Sequence, residues 1–497
     1  MSEKKVIIIG AGVAGLSAAC YLRMNGYVTE LFESHNKPGG LCTSWKRKEY
    51  TFDGCIHSIG GLNPKFRTYH YLNELIDLTK LKFHFHESLG VTEDENGKII
   101  NMYANPDLLK QELLSIAPED AKFINSLINA VKYLEHFDLS LKKPLELWTP
   151  LDYYLNQFRT APVLPYLIKW RKSMDNLTRN CKSTKLKQVL NTDFFSRFPA
   201  YFFIMSLGSL HVKDAGYPIG GSLKFSRLLE EKYLSLGGIV HYKSRVTEIK
   251  TKDNEAVSVT LEDGRVHNAD IIISASDGHA TIFEMLDGKY VDNKIRSLYD
   301  KHPRWPSMIL VSLGINRSFT DEPSTIDMRL KKELIIDSKT KLDSIAFTIY
   351  NFDSTLAPKG KTCVRALLKT DNYAYWTDLF YNNKKLYKQE KNRIAREVIR
   401  ILNNHFKGLS KQVEVIDVAT PVTFKNYTNN WNGSTQGWNW LPGLIPETIS
   451  KGLPGLKNFY LIGQWTTPGG GIISGLTSGR DITRIICKKD KKKFETK

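Results

Sequence analysis

An α/β fold built on a parallel sheet is predicted by three stretches of this 497-residue sequence. The first is Val6-Ile7-Ile8-Ile9-Gly10-Ala11-Gly12-Val13-Ala14-Gly15. Its four β-branched residues read as a strand covered on both faces, and Gly10, Gly12 and Gly15 complete G-x-G-x-x-G. The second is residues 27–32, a strand ending at Glu33, about 20 residues past the glycines, where an acid meets ribose hydroxyls. The third is Asn458-Phe459-Tyr460-Leu461-Ile462-Gly463, a strand running into a glycine-rich loop, Pro468-Gly469-Gly470-Gly471-Ile472, and a final helix over about 476–486.

Each glycine of the first motif has a task. Gly10 permits the tight turn, Gly12 lets backbone approach a pyrophosphate, and Gly15 lets the helix pack closely on the strand. That helix, 16 to about 25, stops at Gly26, a residue at ease in the left-handed conformation. Its N-terminus presents N–H groups and a positive dipole end to phosphates. Pro38-Gly39-Gly40 and Phe52-Asp53-Gly54 follow. The motif alone does not separate FAD from NAD. Two glycine-rich strand-to-helix joints at opposite ends of one chain call for a shared ligand, and a second G-x-G-x-x-G is absent.

Between these ends the pattern changes twice. From 105 to about 205 it is helical: Asp107 can cap one helix, Pro118-Glu119-Asp120 opens another, and further pieces are expected over 162–174 and 192–207. Residues 194–203 are strongly aromatic, which suits core packing or a greasy tunnel. Gly220-Gly221 leads into a helix over 223–236, followed by short strands at 239–242, 244–251, 256–261 and 265–268. The apolar strand 271–273 should rejoin the first sheet. Residues 280 to about 415 alternate like a separate sheet, with strands at 308–313, 333–337, 344–350 and 362–368 and an amphipathic helix over 384–406.

Composition narrows the partners. Net charge is +18, part of it in the tail Lys488-Lys489-Asp490-Lys491-Lys492-Lys493, which favours anionic partners or simply a well-solvated surface. Lacking any nucleic-acid fold motif, the chain is expected to bind no nucleic acid. Six cysteines without C-x-x-C spacing argue against a zinc site, a disulfide framework and a dithiol reductase; no metal is expected. With Met1–Lys5 running straight into the first strand, and no apolar run near ~20 residues, the expected location is cytoplasmic, possible contact being with the membrane surface only.

Taken together, Gly10–Gly15 with Glu33, Gly39-Gly40, Phe52-Asp53-Gly54, Pro218-Ile219-Gly220-Gly221, residues 353–359, Ala419-Thr420-Pro421 and Leu461 through Gly475 resemble the phytoene desaturase, carotenoid isomerase and retinol saturase superfamily of FAD-dependent oxidoreductases. The resemblance runs almost end to end. It implies an α/β fold in which a Rossmann-like FAD-binding domain of glutathione-reductase-type topology (1–75, 210–280 and 415–497) is interleaved with other parts. These are a helical substrate or cap region (76–209) and an α+β substrate domain with a mixed sheet (281–414). It further implies non-covalent FAD held by Gly10, Gly12, Val13, Ala14, Gly15, Glu33, Gly39, Gly40, Leu41, Val246, Gly463, Gly471, Ile472 and Ile473, with Val246 meeting the adenine through its backbone. Many relatives carry Arg where this chain has Leu41, and small or acidic residues where it has Gln464-Trp465.

The activity so implied is addition or removal of hydrogen across, or isomerisation of, C=C bonds in a hydrophobic polyene or isoprenoid-like substrate. NAD(P) is a candidate transient electron donor or acceptor, and an anionic membrane a candidate surface partner. No His–carboxylate pair marks a catalytic acid or base. His57 is the candidate nearest the flavin segment, but structural packing is the role expected of it, and the catalytic residues stay unassigned. Two alternatives stay open: an amine oxidase relative, which an aromatic cage at the flavin would favour, and a non-catalytic flavin-binding scaffold.

Overall fold

The computed structural model describes residues 3–94, 97–191, 198–444, 447–466 and 470–497. Strand β1 (Lys5–Ile9), helix α1 (Val13–Met24) and strand β2 (Val28–Phe32) form the first βαβ unit. β1 pairs in parallel with β2 on one side and with Ile271–Ser274 on the other. Ile239–His241 extends the sheet beyond β2, and Phe459–Leu461 completes it beyond Ile271–Ser274. Val6, Ile7 and Ile8 are wholly buried because both faces of this sheet are covered. One parallel sheet thus gathers strands more than 400 residues apart. A three-stranded antiparallel sheet, Val246–Lys252, Glu255–Leu261 and Val266–Asn268, packs beside it.

The second large element is a seven-stranded mixed sheet. Ser307–Ile315, Thr362–Thr370, Lys341–Ile349 and Thr325–Ile335 form its antiparallel body, and Val413–Ala419 lies at one edge. Helix Lys384–His405 covers one face through Ile394, Val398 and Leu402, packed against Val364, Ala366 and Leu368. The strand expected at 333–337 is the far end of Thr325–Ile335, whose Ile326 and Met328 alternate inward.

Sheet pairing runs across the expected divisions. Residues 76–209, expected to be helical, contribute Ser88–Glu93 and Ile99–Tyr103 to the large sheet, with Val91 in parallel register opposite Ile326. These strands are too short to stand apart from the loops in sequence. Strand Val413–Ala419 also straddles the boundary expected at 414. The helix expected over 162–174 is two, Leu164–Lys169 and Met174–Thr178, because Ser173 caps the second through the Asn176 N–H. Residues 192–197 of the aromatic stretch lie outside the described residues. Beyond them, helix Ala200–His211 buries Phe203, Ile204 and Leu207.

Candidate functional site

The cleft lies at the carboxyl ends of the parallel strands, where open α/β sheets receive ligands. Gly10, at φ +101°, donates its N–H to the Phe32 carbonyl at 2.8 Å, fixing the turn between β1 and α1. Gly12 caps α1 with no side-chain hydrogen bond, so first-turn N–H groups are left for a ligand. A Cβ at Gly12 would meet nothing within 4 Å. Glu33 steadies the loop: Oε2 accepts the Ala11 N–H at 2.7 Å and Oε1 the His35 N–H at 2.8 Å.

The second glycine pair folds onto the first. Gly39 donates its N–H to the Ala11 carbonyl, and Gly40 comes so close to Gly12 that a Cβ on it would lie 3.6 Å from the Gly12 Cα. The C-terminal joint reaches the same cleft by a different route. Helix Ile472–Lys489 packs on α1 so closely that a Cβ at Gly479 would sit 2.4 Å from the Ala18 nitrogen. Ser17 Oγ donates to the Leu476 carbonyl at 2.7 Å. Small residues at this crossing place the starts of both helices side by side, and Gly471, like Gly12, leaves open space.

Of the residues expected to bind the nucleotide, the structure brings Gly10, Gly12, Val13, Ala14, Glu33, Gly39, Gly40, Leu41, Val246, Gly463, Gly471 and Ile472 into one cleft wall. The other two stand off that wall. A Cβ at Gly15 would lie 1.9 Å from the Gly10 carbonyl oxygen, the close packing of α1 on β1 that its place in the motif requires. Ile473 points to Gly61 instead, its Cδ1 3.2 Å from where a Cβ there would stand. Pro468 and Gly469 lie outside the described residues. Trp465 does not reach the cleft: it is wholly buried, and its carbonyl accepts Trp438 Nε1–H at 3.2 Å.

Sequence reasoning missed Asp277 and the loop around 427–436. Asp277 Oδ2 accepts the Trp431 N–H and Oδ1 the Ala280 N–H, both at 2.9 Å, which ties the end of Ile271–Ser274 to that loop. Burial pushes its carboxyl up to about 6, partly offset by those two bonds. Its position just after an apolar parallel strand was the available signal. Gln436 Oε1 and Thr435 Oγ1, also on the cleft wall, are buried and find no hydrogen-bond partner among the described residues. Buried acceptors, glycines facing open space and two helix starts are together what a dinucleotide would engage.

Next to the cleft, through Cys55, stands His57. Arg365 Nη2 lies 3.0 Å from His57 Nδ1 and 3.3 Å from Nε2, and Nη1 donates to the Asp53 carbonyl at 3.0 Å. The guanidinium carbon lies 5.5 Å from the Tyr350 ring centroid. His57 is exposed, yet neighbouring protein crowds its ring. Desolvation, then Arg365 and His86, pushes its imidazole down to about 3. Nη2 is nearly equidistant from both ring nitrogens and so stands over the imidazole face, where its positive charge disfavours the protonated ring.

Arg365 and Leu367 share one face of Thr362–Thr370, because strand side chains alternate. Leu367 packs into a cluster with Phe198, Phe202, Trp305, Met308 and Phe424. Phe198 stacks on Trp305 with centroids 4.7 Å apart, and Phe202 meets Trp440 edge-on at 5.0 Å. One sheet face therefore runs from the His57 corner of the cleft to an aromatic wall.

Comparison with known proteins agrees with this geometry. The model of a family described as flavin containing amine oxidoreductase matches residues 13–487. Prolycopene isomerase 1, chloroplastic, of an Oncidium hybrid cultivar is 25% identical over 96% of this chain and 82% of its own length. The lycopene-forming phytoene desaturase of Pantoea ananas is 25% identical over 98% of this chain and 99% of its own. The structure of putrescine oxidase bound to putrescine superposes with a TM-score of 0.62 at 12% identity, covering 98% of this chain and 99% of that one; this likeness shows the fold.

Proposed function

Because the chain belongs to the flavin containing amine oxidoreductase family, and is an FAD-dependent oxidoreductase, we propose that it adds or removes hydrogen across, or isomerises, C=C bonds of a hydrophobic polyene or isoprenoid-like substrate. The observation that carries this reading is the sheet face joining His57 and Arg365 to the wall of Phe198, Phe202, Trp305 and Leu367. An extended apolar molecule can lie along that face with one bond at the cleft. The names of the full-length relatives, prolycopene isomerase and phytoene desaturase, support the same substrate class.

When bound, FAD supplies hydride acceptance or donation at N5 of its flavin. The chain's own residues do the rest. The starts of α1 and Ile472–Lys489, with Gly12, Gly40 and Gly471, hold the diphosphate and the chain leading to the flavin. Glu33 holds the ribose. The aromatic wall excludes water and orients the substrate by shape. His57, neutral and backed by Arg365, holds or accepts a proton beside the reacting bond. We divide the chain functionally into 1–75, 210–280 and 415–497 for FAD, with 76–209 and 281–414 on the substrate side. Among the described residues no helix is long and apolar enough to cross a membrane. A lipid substrate is proposed to be collected at a bilayer surface. NAD(P) is one candidate for the external electron donor or acceptor.

The amine-oxidase alternative calls for an aromatic cage at the flavin. Among the described residues, the aromatic side chains on the cleft wall are Phe32 and Tyr427. Phe32 stacks on His241 and Tyr427 tilts against His35, so they do not form a cage with each other. Anaerobic mixing of the yellow protein with detergent-dispersed polyenes, and separately with putrescine, decides between the readings. Flavin bleaching or geometric isomerisation with polyenes alone is expected; bleaching with putrescine alone overturns the proposal.

A further inference from the structure

We propose that the paired helices Pro150–Thr160 and Leu164–Lys169 are the docking face for an anionic phospholipid bilayer. The inference deepens the reading above, on which the substrate is a lipid, by naming the surface that meets its source. Helix Pro150–Thr160 buries none of its residues. Leu151, Tyr154, Leu155 and Phe158 nevertheless recur at i, i+3, i+4 and i+7, the spacing of a stripe that normally faces a core. Each is between 57% and 63% exposed. Leu164 and Ile168 of the next helix are exposed as well, and Leu444 is brought alongside by the Gly443 N–H donated to the Arg171 carbonyl at 3.0 Å. An apolar stripe of this extent marks an interaction site.

The helix is also built to form without a core behind it. Thr149 and Asp152 make a reciprocal capping box, Pro150 occupies the first turn, and Lys143 pairs with Asp152 at 2.7 Å. Local signals hold it helical while its apolar stripe faces outward.

Charge selects the occupant. Residues 141–172 carry six Lys or Arg and two acids, Glu146 and Asp152. Both acids are engaged, by Lys451 and Lys143, while Lys142, Lys169, Arg171 and Lys172 are exposed around the stripe. Arg484 Nη1 donates to the Lys142 carbonyl at 2.6 Å, so one cation of Ile472–Lys489 adds to the same region. Exposed leucine and phenylalanine, interfacial tyrosines and a rim of lysine match an anionic bilayer surface. A second copy presenting this face would bring two basic rims together, which electrostatics opposes. The lysine tail beyond the helix is held elsewhere: Lys492 Nζ lies 4.2 Å from the Tyr27 ring centroid, and Asp490 pairs with Lys4 at 2.6 Å.

The test is co-sedimentation of flavin-loaded protein with phosphatidylcholine–phosphatidylglycerol vesicles at low salt. The pair Leu155→Glu and Phe158→Glu should weaken binding on the order of a hundredfold, since each removes one deeply inserted side chain. Melting temperature and flavin content should stay unchanged; Leu155→Gln with Phe158→Gln is the milder pair if the first folds poorly. Lys169→Gln with Lys172→Gln should weaken binding at low salt more than at high salt. Undiminished binding of both apolar pairs overturns the docking face alone. No binding by the wild type overturns the face and the membrane part of the reading together. A dimer that the apolar pair dissolves overturns the bilayer in favour of a second copy. Vesicle binding without polyene turnover overturns the substrate reading and leaves the docking face standing.

Discussion

Arg365 places its Nη2 3.0 Å from Nδ1 of His57, where its positive charge disfavours protonation of that imidazole. The pair joins a residue of the N-terminal nucleotide segment to the fourth position of a strand in the other sheet, 308 residues away.

A pH dependence follows with a definite sign. His57 is pushed from 6.5 down to about 3, chiefly by desolvation and then by Arg365. Between those values the unfolded chain binds the proton and the folded chain does not. Its contribution to stability is therefore complete above pH 6.5 and is lost as pH falls towards 3. Histidine NMR should show His57 neutral at pH 5. Arg365→Leu should raise its pKa yet leave it below 6.5, because burial is the larger cause. Titration of wild-type His57 near 6.5 would show that the pairing is wrong.

Two glycines of one motif should fail in different ways. Gly12→Asp meets open space, so the fold should survive, but its carboxylate would face the diphosphate; colourless protein with unchanged circular dichroism is expected. Gly15→Val drives a side chain into the Gly10 carbonyl, and overpacking against backbone should cost about 3 kcal/mol or more. Its melting temperature should drop whether or not flavin is supplied. Equal loss of flavin and of stability in both variants would contradict the division of roles.

Glu33→Gln removes one of two carboxylate oxygens that hold the Ala11 and His35 N–H groups. Hydrogen bonds to a charged group contribute about 1.5–3 kcal/mol, so flavin dissociation constants should rise by roughly tenfold to a hundredfold. Flavin fluorescence on dilution measures this, and an unchanged constant would remove Glu33 from the site.

Asp53→Asn should act through structure. Oδ1 accepts the Cys55 N–H at 3.0 Å and the Ser222 hydroxyl at 2.5 Å, while Oδ2 accepts the Tyr217 hydroxyl at 3.0 Å and the Ser222 N–H at 2.7 Å. An amide offers only one accepting atom, so buried donors lose partners at a cost of about 2 kcal/mol or more. Chemical denaturation should register that loss, and a variant as stable as the wild type would refute the network's importance.

Legibility followed the range of the interactions. The turn at Gly10, the start of α1 and the acid at Glu33 are set within about 25 residues by backbone conformation and strand burial, so they could be read directly. Which of Ile472 and Ile473 lines the cleft wall depends on how the last helix rotates against α1, which neighbouring sequence does not fix. Ser88–Glu93 and Ile99–Tyr103 were hidden because short strands carry little periodicity of their own. Asp277 and Gln436 were missed for a related reason: their environment is supplied by segments far away in sequence.

The sequence by itself determined that a parallel sheet would end in two glycine-rich joints fit for a dinucleotide, because glycine conformation and β-branched burial act locally. Only the tertiary structure decided that Gly475 and Gly479 let the last helix lie against α1, so that both joints open on one cleft. It alone also decided that Arg365 reaches His57 and that the stripe on Pro150–Thr160 stays exposed among the described residues. Contacts between distant segments are fixed by the shared packing of the sheets, and no stretch of sequence contains that information alone.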